Sequence, residues 1–210
     1  MHSHTMWSGD STTTPDEISA AVEESGIDVL CITDHNAIKG AVDLLDLLPC
    51  RVIVGEELRT HAGEIIGLFL NERIPTGTQP SDAARAIRGQ GGIVYIPHPH
   101  DPMRRNLSEP ALHALIEDGL VDAIEVINAK TSLPSLNARA AATAAAHQLA
   151  AGAGSDAHVP DAIGAAYVEM PDFDGPQDFL SKLRLGRPVG HHWDHARRWS
   201  ARILPGTSIE

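Results

Sequence analysis

The chain has 210 residues, 42% of them hydrophobic, with 28 acidic against 16 basic side chains and a formal net charge of −12. That is apolar material for one sizeable core, and the acidic balance argues against tracking a long nucleic-acid backbone, whose phosphates call for many Lys and Arg. Apolar runs fall well short of the ~20 residues of a membrane-spanning helix, no charged-then-apolar leader is seen, and Cys31 and Cys50 read as two buried thiols, so a soluble cytoplasmic protein is expected.

In chain order, residues 14–25 predict a helix. Thr14 caps it, Pro15 takes the first helical position, Asp16 and Glu17 occupy the first turn, and Gly26 ends an apolar face of Ile18, Ala21 and Val22. DVLCIT (28–33) is a strand too continuously apolar to be half exposed. A weak helix over 39–47 leads to strand RVIVGEE (51–57), and EIIGLFL (64–70) is a third. A Pro-started, Gly-stopped helix (80–92) precedes strand IVYI (93–96), and a helix capped by Ser108 (108–119) precedes VDAIEVI (121–127). Residues 135–150 are alanine-rich and helical, 150–155 is a short strand, AAYVEM (165–170) is the last clear strand, and a helix near 176–185 leads into a tail. Apolar strands interleaved with helices predict an α/β fold with a mainly parallel sheet, closed or open. With no repeat, low-complexity segment or linker, residues 1–210 read as a single domain. No GxGxxG follows the first strand and no GxxxxGK[ST] occurs, so nucleotide-fold fingerprints are absent.

In such folds chemistry gathers at the C-terminal ends of the strands. Five predicted strands finish in or beside polar residues there: TDH (33–35), EE (56–57), PHPH (97–100), INAK (127–130) and GSDAH (154–158). Any one of these could be a turn cap or a satisfied loop histidine. Jointly they point to a metal site, and imidazole mixed with carboxylate suits Zn²⁺, Mn²⁺ or Fe²⁺. The opening MHSH adds a pair, because alternate side chains of an extended segment share a face. His2, His4, Asp10, His35, Glu57, His98, Asp156 and His158 are plausible ligands, with Glu125 or Asn128 as a further one. These are too many for one ion, so two or three divalent ions are expected, with Glu57 as a natural bridge. Such clusters suit hydrolysis of a phosphoester by a metal-activated water.

The stretches HSHTMWSGDSTTTPDEI, TDHNAIKG, GEEL, IPHPHDP and GSDAH span residues 2–158. In type and order they resemble the PHP family, named for polymerase and histidinol phosphatase. The resemblance implies a distorted seven-stranded TIM-like (β/α)7 barrel with up to three ions at its strand ends and a phosphoesterase activity. It implies His2, His4, Asp10, His35, Glu57, His98, Asp156 and His158 as ligands, and a variable ligand position within 125–128, where Glu125 and Asn128 both remain open. One departure is that Met1 directly precedes His2. The acidic residue and leucine that usually come before the first histidine are missing, so the first barrel strand is expected to be nearly absent and the first ion site weakly anchored. The other is compactness, with no polymerase module.

On the substrate side, Arg104 or Arg105 could clamp a phosphate, and His100 could protonate the leaving oxygen or hydrogen-bond around the site. Lys130 could add positive charge, and the resemblance implies that a residue near Glu64 faces the pocket. Trp7 is the one aromatic nominated for stacking. His61, His113 and His147 read as ordinary loop or helix residues, Asp161 as a turn, and His191, His192 and His195 as a tail cluster packed with Trp193 and Trp199. The expected function is hydrolysis of a small phosphomonoester: a nucleotide, a nucleoside bisphosphate or a metabolite phosphate. The alternatives are a 5′-directed nuclease or phosphodiesterase on short oligonucleotides, an amidohydrolase-type metal hydrolase, and a non-catalytic metal-binding scaffold. The sequence leaves the oligomeric state open.

Overall fold

Strands that are apolar on both faces need cover on both sides, and the fold provides it. A computed structural model describes residues 1–193. Val29–Ile32 (β1), Arg51–Thr60 (β2), Gly63–Leu68 (β3), Ile93–Ile96 (β4), Ala123–Asn128 (β5) and Ala150–Gly154 (β6) form one sheet in sequence order, curled into a distorted half-barrel. The helices are Pro15–Ser25 (α1), Lys39–Leu44 (α2), Pro80–Gly89 (α3), Glu109–Glu117 (α4), Pro134–Ala146 (α5) and Gly175–Leu183 (α6). Ala166–Glu169 (β7) and Arg187–Gly190 (β8) make a separate antiparallel pair. Among the described residues no helix is long and apolar enough to cross a membrane.

The expected helix start at Thr14 is a full capping box: Glu17 N donates to Thr14 Oγ1, and the Glu17 carboxylate accepts from Thr14 N. Two expectations need correction. The sheet is parallel across β1–β2, β4–β5 and β5–β6, but β3 runs antiparallel to both neighbours. Only His61 and Ala62 separate β2 from β3, far too little for a crossover, so a hairpin is forced. The seventh predicted strand does not complete a seven-stranded barrel. It pairs as β7 with β8, which Pro188 had disguised as tail.

The first residues are firmly held, contrary to expectation. On one side Met1 N donates to Ala153 O (2.9 Å), Asp156 N to His2 O (2.9 Å) and His4 N to Ala157 O (2.9 Å). On the other, Thr33 N donates to Ser3 O (2.9 Å) and Ser3 Oγ to Cys31 O (2.8 Å). Asp34, fully buried, accepts from both Thr5 N and Thr5 Oγ1 at 2.6 Å. The opening segment is thus tied to the chain leaving β6 and to the chain leaving β1.

Strand register decides what lies beneath the site. Glu57 pairs with Ile66, Ile66 with Tyr95 and Tyr95 with Ala123, so one face carries all four. Lower on that face Cys31, Ile53, Leu68 and Ile93 pack with Phe173 and Phe179. Both cysteines are free thiols. The opposite face packs Leu58, Ile65, Ile96 and Ile124 against Ile87 of α3 and Leu112 and Leu115 of α4. The polar strand ends therefore rest on an apolar plug.

Gly154 closes β6 where no side chain fits, since a Cβ there would collide with Glu125 Oε1 and His2 Cβ. Gly154→Ala is expected to destabilise the fold by about 1–3 kcal/mol through overpacking, read as a lower urea midpoint with an unchanged slope.

Candidate metal centre

Each strand end delivers its ligands by local backbone geometry. The chain leaving β1 bridges to β2 at His35 and Glu57, with Asn36 N donating to Glu57 O (3.0 Å) and Glu57 N to Asp34 O (3.2 Å). Asn36, His98, His100 and Asp156 all have positive φ, at 54°, 29°, 69° and 49°. Left-handed backbone is costly for residues with a Cβ and is often found where a site over-determines it. Here it turns the chain sharply at three strand exits.

Glu57, 1% exposed, is the hub. Its Oε2 lies 3.3 Å from His2 Nε2, 3.3 Å from His4 Nε2 and 3.1 Å from His35 Nδ1, and its Oε1 lies 2.9 Å from His98 Nε2. Asp156 Oδ1 lies 3.5 Å from His4 Nε2 and 3.8 Å from His2 Nε2. On the outer side Asp10 Oδ2 reaches His35 Nε2 (3.2 Å) and His158 Nε2 (3.1 Å). Four sets of ligand atoms lie close enough to share a cation: His4–Asp10–His35–His158, His2–Glu57–His98, His2–His4–Asp156 and His35–Glu57–Glu64. The sets overlap at His2, His4, His35 and Glu57, and together they can coordinate two to three divalent ions.

Further observations fit cations to this donor set. His2 Nε2 and His4 Nε2 face each other at 3.0 Å, a separation two lone pairs do not tolerate without a proton or a cation between them. Buried His98 Nδ1 and His35 Nδ1 have no hydrogen-bond partner. Glu64 is buried 3.8 Å from both His35 Nδ1 and His98 Nε2. Burial and the Glu57 charge push its carboxyl up, although Arg59 Nε lies 3.3 Å from Glu64 Oε1, so one arginine does not offset the neighbouring acid. The remote nitrogens of other histidines are anchored: His2 Nδ1 by Glu125 Oε1 (3.3 Å), His4 Nδ1 by Ser8 Oγ (2.9 Å) and His158 Nδ1 by the Asp156 carbonyl (2.9 Å). That anchoring leaves Nε2 of each to face inward, the usual arrangement around an ion.

The structure brings together His2, His4, Asp10, His35, Glu57, His98, Asp156 and His158. Glu125 and Asn128 stand just outside the four sets. Glu125 accepts from His98 N (2.7 Å) and Asn128 Nδ2 (2.9 Å), and Asn128 Nδ2 also reaches Asp156 Oδ2 (3.4 Å). Arg104 Nη1 lies 3.7 Å from Asp156 Oδ2, whereas Arg105 is exposed. Lys130 Nζ lies 3.5 Å from Asp156 Oδ1 and 2.8 Å from His158 Nδ1. His100 uses both ring nitrogens elsewhere, on Glu109 Oε1 (2.5 Å) and Thr143 Oγ1 (3.0 Å). Trp7 packs with the core around Ile18 and Leu44, His113 is exposed on α4, and His61 and Asp161 are exposed. His191 and His192 are exposed, while His195 and Trp199 lie outside the described residues. Glu64 was given too little weight by sequence. Its signal lies in the hairpin register, where Arg59 pairs with Glu64 and places it diagonally from Glu57 on the same face.

Without ions, protons do the neutralising. Burial alone would push His4 down, but hydrogen bonds to Asp156 and Glu57 and the Glu57 charge outweigh it and raise it to about 9. His2 and His98 are raised on the same balance. Burial would raise Glu57 and Asp156, yet the surrounding cationic groups hold both well below the carboxylate range. A raised imidazole stabilises the fold fully below its unfolded value of 6.5 and loses that contribution as pH climbs toward 9. Metal-free protein is therefore expected to have a lower urea midpoint at pH 9 than at pH 6.5. Divalent-ion affinity, titrated calorimetrically, is expected to rise over the same interval, with protons released on binding.

A family model described as the PHP domain matches residues 1–73, and one described as PHP-associated matches residues 134–188. The uncharacterized protein MJ1587 of Methanocaldococcus jannaschii is 39% identical over 142 residues, 61% of this chain and 80% of that protein. The uncharacterized protein MJ0417 of the same organism is 36% identical over 143 residues, 63% of this chain and 60% of that protein. Among solved structures, a two-domain protein from Bacteroides vulgatus containing a predicted PHP-like metal-dependent phosphoesterase superposes with a TM-score of 0.68 at 20% identity, over 90% of this chain and 63% of that one. With its metal-ligand clusters on a curled α/β sheet and PHP models matching both its opening and its later half, the chain belongs to the PHP family.

Proposed function

We propose that the chain is a metal-dependent phosphoesterase acting on a small phosphomonoester such as a nucleotide, a nucleoside bisphosphate or a metabolite phosphate. The observation that carries this reading is the pairing of Arg104 and Lys130 at one edge of the ligand cluster, 3.7 Å and 3.5 Å from the two oxygens of Asp156. Two fixed cations beside a cluster of buried acids are what a phosphoryl group needs. An amide substrate, with no negative charge, has no use for them.

His2, His4, Glu57, Asp156, His35, Asp10, His158, His98 and Glu64 would hold two or three ions, and the N/O donor set without thiolate suits Mn²⁺, Fe²⁺ or Zn²⁺. When bound, such ions supply Lewis acidity, acidifying water and neutralising phosphoryl charge. The chain's own residues do the rest. Arg104 presents a planar fork to two phosphoryl oxygens, and Lys130 adds a point charge. Glu57, touching four imidazoles, keeps the ligand sets at a fixed spacing. Glu125 accepts from His2 and His98, and we assign it and Asn128 to orienting ligands. His100, bonded to Glu109 and Thr143, fixes the loop that carries Arg104.

On this reading residues 1–210 form one domain, the opening segment acts as the barrel's seventh stave, and the two free thiols belong in a reducing, cytoplasmic setting. A short oligonucleotide would be cleaved by the same chemistry. Trp7, half-buried and packed against the core around Ile18 and Leu44, leaves only part of its ring for stacking, which favours the small substrate.

The test is hydrolysis of an aryl phosphate with added Mn²⁺, followed by a panel of mononucleotides, nucleoside bisphosphates and 5′-phosphorylated oligonucleotides. His35→Ala and Asp156→Ala are each expected to lower kcat by about 100-fold or more while circular dichroism is retained. Arg104→Ala is expected to raise KM for the phosphomonoester by about 10-fold. Amide hydrolysis without phosphoesterase activity would overturn the reading, as would ion-loaded protein inert on every phosphoester.

A further inference from the structure

Arg104 and Lys130 sit on different loops. Arg104 belongs to the segment after β4 and Lys130 to the segment after β5, so something must fix their separation. Between the two loops lies Asp101, fully buried. Its Oδ1 accepts from Met103 N (3.0 Å) within its own loop and from Ser132 Oγ (2.6 Å) across the gap. Its Oδ2 accepts from Ser132 N (2.7 Å) and Thr131 Oγ1 (3.4 Å). Its carbonyl accepts from Arg104 N (3.0 Å), and Arg104 Nη2 in turn donates to Lys130 O (2.7 Å).

We propose that Asp101 is a positioning residue for phosphate binding: its carboxylate clips the two loops together and sets the spacing at which Arg104 and Lys130 close on one phosphoryl group. This rests on the phosphoesterase reading. The carboxylate receives four donors, two on each oxygen, and none of them is a charged side chain. A carboxamide of the same shape cannot replace it, because whichever way it turned its NH2 would meet a backbone N–H, of Met103 or of Ser132, that cannot accept. Burial would raise the Asp101 carboxyl, but the hydrogen bonds from Ser132 and Met103 and the nearby Arg104 charge hold it below the ordinary range, so all four acceptances persist near neutral pH. The clip acts on two cations, not on ions, since Asp101 belongs to none of the four ligand sets.

The test compares wild type, Asp101→Asn, Arg104→Ala and the double variant, each loaded with Mn²⁺. Asp101→Asn is expected to weaken inorganic phosphate, titrated calorimetrically, by about 10-fold, and to raise KM more than it lowers kcat, with bound manganese unchanged. In the Arg104→Ala background the same change is expected to be nearly silent, because its effect runs through Arg104. Ser132→Ala, at an exposed position, removes one donor without threatening the fold and is expected to show the same pattern at about 3-fold. Asp101→Asn and Arg104→Ala effects that simply multiply, a loss of bound manganese, or unchanged phosphate affinity in an active enzyme would overturn the clip alone. A wild type that neither hydrolyses phosphoesters nor binds phosphate would take down the phosphoesterase reading together with it.

Discussion

Placing a carboxylate in a protein interior costs several kcal/mol unless opposite charge and hydrogen bonds meet it there, and that constraint governs this fold. Glu57 is 1% exposed and touches imidazoles from the opening segment, from the exit of β1 and from the exit of β4. No single element could supply that set. The strands must curl so that their C-terminal ends converge, and the opening segment must lie between the chains leaving β1 and β6 for His2 and His4 to arrive. Electrostatics at the top of the sheet and packing beneath it impose the same geometry. Tyr95 shows the junction, its ring fully buried in the plug while its hydroxyl donates to Glu125 Oε1 at 3.4 Å.

The same constraint explains why strain collects where it does. His98 and Asp156 each hold left-handed backbone two residues beyond a strand, and both side chains are buried against Glu57 or its histidine neighbours. A relaxed extended exit would carry these side chains out toward solvent. The cost of order 1–3 kcal/mol per residue is tolerable because the hydrogen bonds from Asp156 N to His2 O and from His98 N to Glu125 Oε2 fix the backbone on both sides.

Much of this was legible in the sequence, for identifiable reasons. Apolar continuity located β1 to β6 and polar exceptions located their ends, so the eight side chains from His2 to His158 that the fold brings together could be named as candidate ligands from the sequence. Three things were hidden. The β2–β3 hairpin was obscured because β2 continues past Glu57 to Thr60, and a strand end was read where the strand merely changes from apolar to charged side chains. β8 was obscured by Pro188, which an edge pair tolerates and a central strand does not. Glu125 against Asn128 could not be separated, because both lie on one strand end and only coordinates reveal that each faces its neighbours' side chains. Spacing finds residues that share a place, and geometry then assigns their parts.

A net charge of −12 raises a last difficulty for a phosphoryl substrate, and the site resolves it locally. Among the described residues Asp10, Glu57, Glu64 and Asp156 stand against Arg59, 3.3 Å from Glu64, and, at the opposite edge, the two cations Arg104 and Lys130, with Asp156 drawing on both. In that balance the two cations are occupied with the protein's own acids and have little attraction left for a dianion. Divalent ions held in the ligand sets would offset these acids and leave Arg104 and Lys130 available to a phosphoryl group. Cation and phosphate binding must then favour one another, and by linkage the coupling is equal in both directions. On the proposed reading, phosphate recognition would be a property of the loaded cluster, prepared by the loops and switched on by the ions.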